Sequence, residues 1–235
     1  MADRRIAHAI VAAFVGLLSA CALQVTAPPA IERQGPPDFP EAYYQRLSAQ
    51  GKPVFRIDPA RSLVVIEVRR SGSLAQFGHD HVVASHDVAG YIAPSEARAD
   101  LYVPLDALVV DEPALRAEAR FDTQPSAGDI AGTRSNMLEK VLETARFPYA
   151  VVSVNSSVAG STAQQIPVAV TLHGVTRPTP VEAQFDQTGK DVSVTGSMAI
   201  DQSQFGIAPF SILGGAIAVQ DRVTITFRIL GGRPE

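Results

Sequence analysis

The stretch that decides the fold is Ile166 to Phe185, IPVAVTLHGVTRPTPVEAQF. Val168, Val170 and Leu172 alternate with Ala169, Thr171 and His173, the period of a strand with one buried face. Gly174 interrupts, and Val181, Ala183 and Phe185 resume the alternation on the way back. This is a β-hairpin pattern whose turn is not one of the two-residue Asn-Gly types. Pro178 and Pro180 lie two apart, so both missing N–H donors face the same neighbour and the ladder on the other side survives. The returning strand therefore begins at a sheet edge or barrel rim.

Working outward, other segments repeat the pattern. Val64, Ile66 and Val68 are in step, and His79 to Ile92 reads as two short strands with a bend near Ser85 to Asp87. Ala99 to Leu105, Ala150 to Asn155 and Val192 to Ile200 follow. In the last strand Val223, Ile225, Phe227 and Ile229 face one way, with Arg222, Thr224, Thr226 and Arg228 opposite. Two short helical patterns, Glu112 to Ala119 and Arg134 to Ala145, interrupt the strands, and Pro125, Gly128 and Gly132 mark a loop between them. Regular alternation of strand and helix is missing, so the class is all-β with an antiparallel sheet of about eight strands and two short helices. Closing such a sheet into a barrel removes its edges. A two-sheet sandwich has the same signature. An eight-stranded barrel either fills its interior or holds one small ligand.

With 235 residues and 46% hydrophobic content, the chain is long enough for one large domain and a tail. A net charge of −4 without any basic run excludes nucleic acid as an expected partner. Arg4 and Arg5 precede an apolar run from Ile6 to Leu18, too short to span a bilayer but right for a secretory signal. Leu18-Ser19-Ala20-Cys21 resembles the lipobox of bacterial lipoproteins. That likeness implies a signal peptide over residues 1–20 and an acylated Cys21 holding the chain to a membrane. The plain alternative is an ordinary signal peptide that happens to contain a cysteine. Cys21 is the only cysteine, so no disulfide forms within the chain. Residues 21–53 read as lipid anchor and Pro-rich tether, and 54–232 as the barrel domain. Within the tether Glu41 to Gln50 forms one short helix, either free or as an arm packed on the domain.

Three further stretches, Ala145 to Ala150 (ARFPYA), Leu172 to Pro178 (LHGVTRP) and Ile200 to Ile207 (IDQSQFGI), resemble the YceI-like family of polyisoprenoid-binding proteins over roughly Val54 to Ile229. The chain departs from the family pattern at Arg134 to Leu138, where only the Arg and the Leu match. The resemblance implies a lipocalin-like barrel whose lumen takes an isoprenoid lipid or quinone, with no cofactor required. The lipobox likeness implies a periplasm-facing place in the cell envelope, and Ala22 after the cysteine favours the outer membrane.

Phe77, Phe147, Phe185, Met198, Phe205 and Phe227 are the large side chains expected along such a lumen, ordinary core being their alternative. His79, His81, Arg134 and His173 are the expected polar groups at its mouth. In a strand His79 and His81 share a face, at a spacing that lets two imidazoles share a metal. The second function class is therefore a metal- or haem-binding redox accessory protein. A third is a structural envelope module with a packed interior. Phe205 to Gly215 is an apolar loop, read as an entry rim, a self-association surface that would pair two copies in a homodimer, or a cover over one barrel end. There is no Gly-x-Ser-x-Gly elbow, no Gly-rich phosphate loop and no His-Glu-x-x-His, so an enzyme is not expected.

Overall fold

The computed structural model describes residues 35–156 and 164–233. The expected signal peptide, Cys21 and the front of the tether lie outside the described residues. The described chain enters as helix α1 (Glu41–Ala49). Strands β1 (Phe55–Ile57), β2 (Leu63–Val68), β3 (Arg70–Ser71), β4 (His81–Ser85), β5 (Ala89–Ala93), β6 (Arg98–Pro104) and β7 (Val109–Val110) follow. After helices α2 (Pro113–Ala119) and α3 (Ala127–Asn136) come β8 (Tyr149–Asn155), β9 (Gln164–Leu172), β10 (Val175–Thr188) and β11 (Asp191–Asp201). The last are β12 (Ser211–Ile212), β13 (Ile217–Val219) and β14 (Arg222–Gly232).

The sheet closes. β1, β5, β6, β8, β9, β10, β11 and β14 form a ring of eight antiparallel strands, completed by β1 against β14. On that same side of β14, Gly231 and Gly232 pair with β1, while Thr224 to Arg228 pair with β2. β2 then pairs with β4, and β4 with β7. The consecutive couples β1/β2, β4/β5 and β6/β7 thus act as three bent staves of an up-and-down barrel. Between β1 and β2 the bend is a single tight turn over Pro59–Arg61, capped by the Asp58 carboxylate, which accepts the Ala60 N–H at 3.0 Å. Every stave has a partner on each side along part of its length, so the ring itself leaves no free edge.

The decisive hairpin is β9 and β10, paired from Leu172↔Val175 to Gln164↔Ala183. Its turn is two residues after all: His173 and Gly174 both have positive φ, 52° and 76°, as a type I′ turn demands. Histidine stands where asparagine is usual. Pro178 and Pro180 face Ala169 and Pro167 of β9, whereas β10 meets β11 only from Glu182 onward. The prolines therefore occupy the stretch with an open side, as the lost donors require.

One barrel end is helical. α3 and the single π-turn after it, Met137–Val141, lay Ile130, Met137, Val141 and Leu142 on the core cluster that contains Val83, Leu105 and Phe205. This differs from the sequence expectation of a loop through Gly128 and Gly132. Ser126 and Asp129 form a reciprocal capping box that starts the helix before both glycines. At the other end lie the Pro94–Glu96 turn and the hairpin between Thr188 and Asp191.

Of the two readings of the Tyr43 segment, the structure has the packed arm. Tyr44 and Leu47 of α1 are buried against Val54 and Ala93, with Tyr43 and Tyr91 beside them. The Tyr44 hydroxyl donates to Asp100 Oδ2 at 2.7 Å, and Arg98 Nε donates to the same oxygen at 2.8 Å. Burial first, and then the Asp100 carboxylate, push the Tyr44 phenol far above its ordinary range, so it stays a donor. Among the described residues no helix is long and apolar enough to cross a membrane.

Candidate functional site

Alternation sends the apolar side chains of every stave inward. On β14, Val223, Ile225 and Ile229 are buried while Thr224, Thr226 and Arg228 are exposed. The inward series do not meet in the middle. They enclose a cavity of about 270 Å³. Its lining reaches from Val223 to Ile229 on β14, about 20 Å at ~3.3 Å per residue. It is bounded by Leu105, Leu108, Leu142 and Leu172 towards the helical end, and by Ile92, Pro94, Ala97 and Phe185 towards the other. Apart from Arg98, which turns its guanidinium outward to Asp100 and over the Tyr43 ring, the polar residues on the wall are Ser85 and Ser156. The Ser85 hydroxyl already accepts from Asp87 N–H at 3.2 Å. Such a space offers burial and almost no hydrogen bonds, so it suits hydrocarbon. The reading of a packed interior fails on this cavity.

Of the side chains expected along the lumen, Phe185, Met198 and Phe227 line it. Phe77 does not: it is 67% exposed at the end of a short turn, Ala75–Phe77, outside the barrel. Phe205 is 1% exposed, but it is packed in the core over the helical end and does not reach the cavity wall. Phe147 packs its ring on His173, centroids 4.3 Å apart, away from the cavity. What the wall has instead is small and branched: Ala150, Val152, Val170, Ala183, Val194 and their neighbours. The bulky side chains expected from the sequence supply only part of that wall. The usable signal was the full set of inward positions on each strand.

The four polar groups expected at a mouth all lie at the helical end, and none lines the cavity. His81 continues the inward series of Val83 and Ser85, but its Nδ1 is 2.6 Å from Asp111 Oδ2 and its Nε2 is 3.3 Å from Thr133 Oγ1 of α3. Asp111 also accepts from Val82 N–H at 3.0 Å and from Arg116. Burial would raise the Asp111 pKa, but the bonds from His81, the Val82 amide and Arg116 together outweigh it and hold the carboxyl below its ordinary value. An ionised carboxylate only accepts, so His81 carries its proton on Nδ1. Arg134 gives its guanidinium to the Leu108 and Asp106 carbonyls at 3.2 and 2.7 Å. His173 Nε2 is 3.3 Å from Glu143. These side chains fasten the cap to the barrel.

His79 and His81 do face each other, ring centroids 6.1 Å apart. Yet among the described residues no three His, Cys, Asp or Glu groups are gathered where they could hold a metal ion. Two imidazoles without a third protein ligand make neither a structural nor a catalytic zinc site, so the metal-ion reading has no such site among the described residues. The apolar loop from Phe205 divides: Phe205 and Ile207 are buried over the helical end, whereas Ile212 at the end of β12 and Leu213 in the turn after it are 46% and 70% exposed.

The three stretches that carry the family likeness meet at one place. A Cβ on Gly174 would stand 2.8 Å from the Phe147 ring, and Arg177 Nε donates to the Gln204 carbonyl at 3.1 Å. They lock the helical end. Comparison with solved structures gives the same fold. A polyisoprenoid binding domain from Saccharophagus degradans, implicated in plant cell wall breakdown, is similar with a TM-score of 0.55 and 14% identity, over 77% of this chain and 98% of that one. BcnA of Burkholderia cenocepacia is similar with a TM-score of 0.51 and 16% identity, over 74% of this chain and 98% of that one. No curated protein matches the sequence significantly. The YceI-like domain family matches residues 55–230, the span of the closed barrel, and the chain belongs to that family.

Proposed function

We propose that this chain takes the hydrocarbon part of a lipid, an isoprenoid or another apolar tail, into the barrel lumen and acts as its carrier or store. The observation that carries this is a cavity of about 270 Å³ whose wall is hydrocarbon apart from two serine hydroxyls and the outward-turned Arg98. Burying a tail there releases about 0.8 kcal/mol per methylene, with almost nothing polar to desolvate. The polyisoprenoid binding described for the similar Saccharophagus domain supports the same ligand class. Binding without catalysis is part of this proposal: the buried polar cluster at the helical end, Asp111–His81–Thr133, spends its hydrogen bonds inside the cap. The setting proposed is the cell envelope, facing the periplasm, with acylated Cys21 in the outer membrane.

The test is mass spectrometry of an organic extract of the full chain, purified without detergent, beside an Ala183→Phe variant. Ala183 is 2% exposed and lines the lumen, so the added ring fills the hollow. Stoichiometric apolar lipid from the native chain, reduced at least tenfold in a variant of unchanged circular dichroism, is expected. Equal lipid from both would place the ligand elsewhere and contradict the proposal. For the anchor, Cys21→Ala should abolish fatty-acid labelling and release the protein from membranes; labelling that persists would refute acylation at that residue.

A further inference from the structure

The lumen wall has a middle level where its two halves adjoin. Two inner core clusters are stacked along the barrel, one towards the helical end and one around Phe55, Ile57 and Val192. Four side chains pack against both clusters: Val64, Val103, Val194 and Phe227. Phe227 is the only aromatic among them. Its ring occupies a niche over Gly196, its cross-strand partner on β11. A Cβ at Gly196 would stand 2.7 Å from Phe227 Cζ, so any other residue there would displace the ring.

We infer that Phe227 is the residue that sets how much chain the lumen accepts. This rests on the lumen being the ligand site. A ~150 Å³ apolar cavity takes one benzene, about 25 Å³ per carbon. On that scale the 270 Å³ lumen holds about eleven carbons. The lining extends for about 20 Å, so girth and not length limits the capacity. The Phe227 phenyl, where the two clusters adjoin, occupies about the room of six further carbons. The ligand class is therefore a medium tail of about two isoprene units, or a longer lipid with only that much of its tail inside. Its polar end stays outside, because the lumen has almost nothing to bond it.

The experiment measures dissociation constants for straight-chain primary alcohols from six to eighteen carbons, with the full chain and with Phe227→Leu and Phe227→Ala. Uniform methylene steps make the break visible. With the native protein, affinity should tighten about fourfold per methylene up to about eleven carbons, and then level off. In Phe227→Ala the rise should continue for about five or six carbons more, with Phe227→Leu between the two. The leucine variant keeps the test open if the alanine variant does not fold. A break at the same length in native and variant proteins would overturn the role of Phe227 while leaving the lumen as the ligand site. A native series that tightens without a break to eighteen carbons would do the same. If no alcohol binds any of the three proteins, the lumen reading falls and the inference with it.

Discussion

Asp111 has a side chain with no solvent exposure, yet it is held ionised by His81, the Val82 amide and Arg116. The sign of its pH effect follows from the lowered pKa. The stabilisation is present above the ordinary carboxylate range, near pH 4, and is lost as pH falls through the lower folded value. Asp111→Asn should cost about 3–5 kcal/mol at neutral pH, since Arg116 is left buried without its counter-charge. The variant's deficit should shrink as the native protein is taken below about pH 4. Urea unfolding at pH 7 and pH 3 checks this; the same deficit at both would mean that packing, not charge, is what was lost. Gly196 allows a second check at this scale. A Cβ there would come within 2.2 Å of the Glu182 carbonyl as well as pressing on Phe227. Gly196→Ala should therefore destabilise by about 1–3 kcal/mol, and a thermal midpoint equal to the native one would show that the wall yields. His79, His81, Arg134 and His173 were legible as a polar group at one end of the barrel. Their partners were not, because Asp111, Leu108 and Glu143 are distant in sequence and only the closed fold brings them in.

Elements were legible where one face is buried and one is wet. β9, β10, β11 and β14 each follow that alternation, and their extents match the sequence reading to within a few residues. α3 was read late, from Arg134, because Gly128 and Gly132 weigh against a helix. The Ser126–Asp129 capping box and the contacts of Ile130 with the core offset that propensity. α1 was read with the right extent, but its packing was left open, since its partners Ala93 and Asp100 are on strands it precedes by some fifty residues. All five tyrosines of the chain form contacts on this flank, joined by Phe39 against Tyr91 and Tyr102. Tyr44→Ala should remove about 3–5 kcal/mol of local packing. Hydrogen exchange should then show α1 amides losing protection while β9, β10 and β14 keep theirs. Exchange that rises equally in all of them would instead make α1 part of one cooperative unit with the barrel.

At the scale of the whole molecule, eight antiparallel staves make a ring whose inner residues are too small to fill it. That hollow could not be read from any single strand. Each inward series looks like ordinary core until closure sets the distance across the ring, and Phe77, Phe147 and Phe205 were expected on the wall for lack of that distance. Phe185, Met198 and Phe227 fall on it because they keep the alternation of long strands. The polar outer face of β14 and the apolar inner face together put the lumen, and not the outer wall, in charge of hydrocarbon. A crystal structure of the detergent-free protein, copurified with whatever it carries, tests this most directly. Elongated density running between Phe227 and Met198, in contact with Val194 and Ala183, is the predicted result. A lumen collapsed on its own side chains, with any bound lipid on the outside of the barrel, would contradict it.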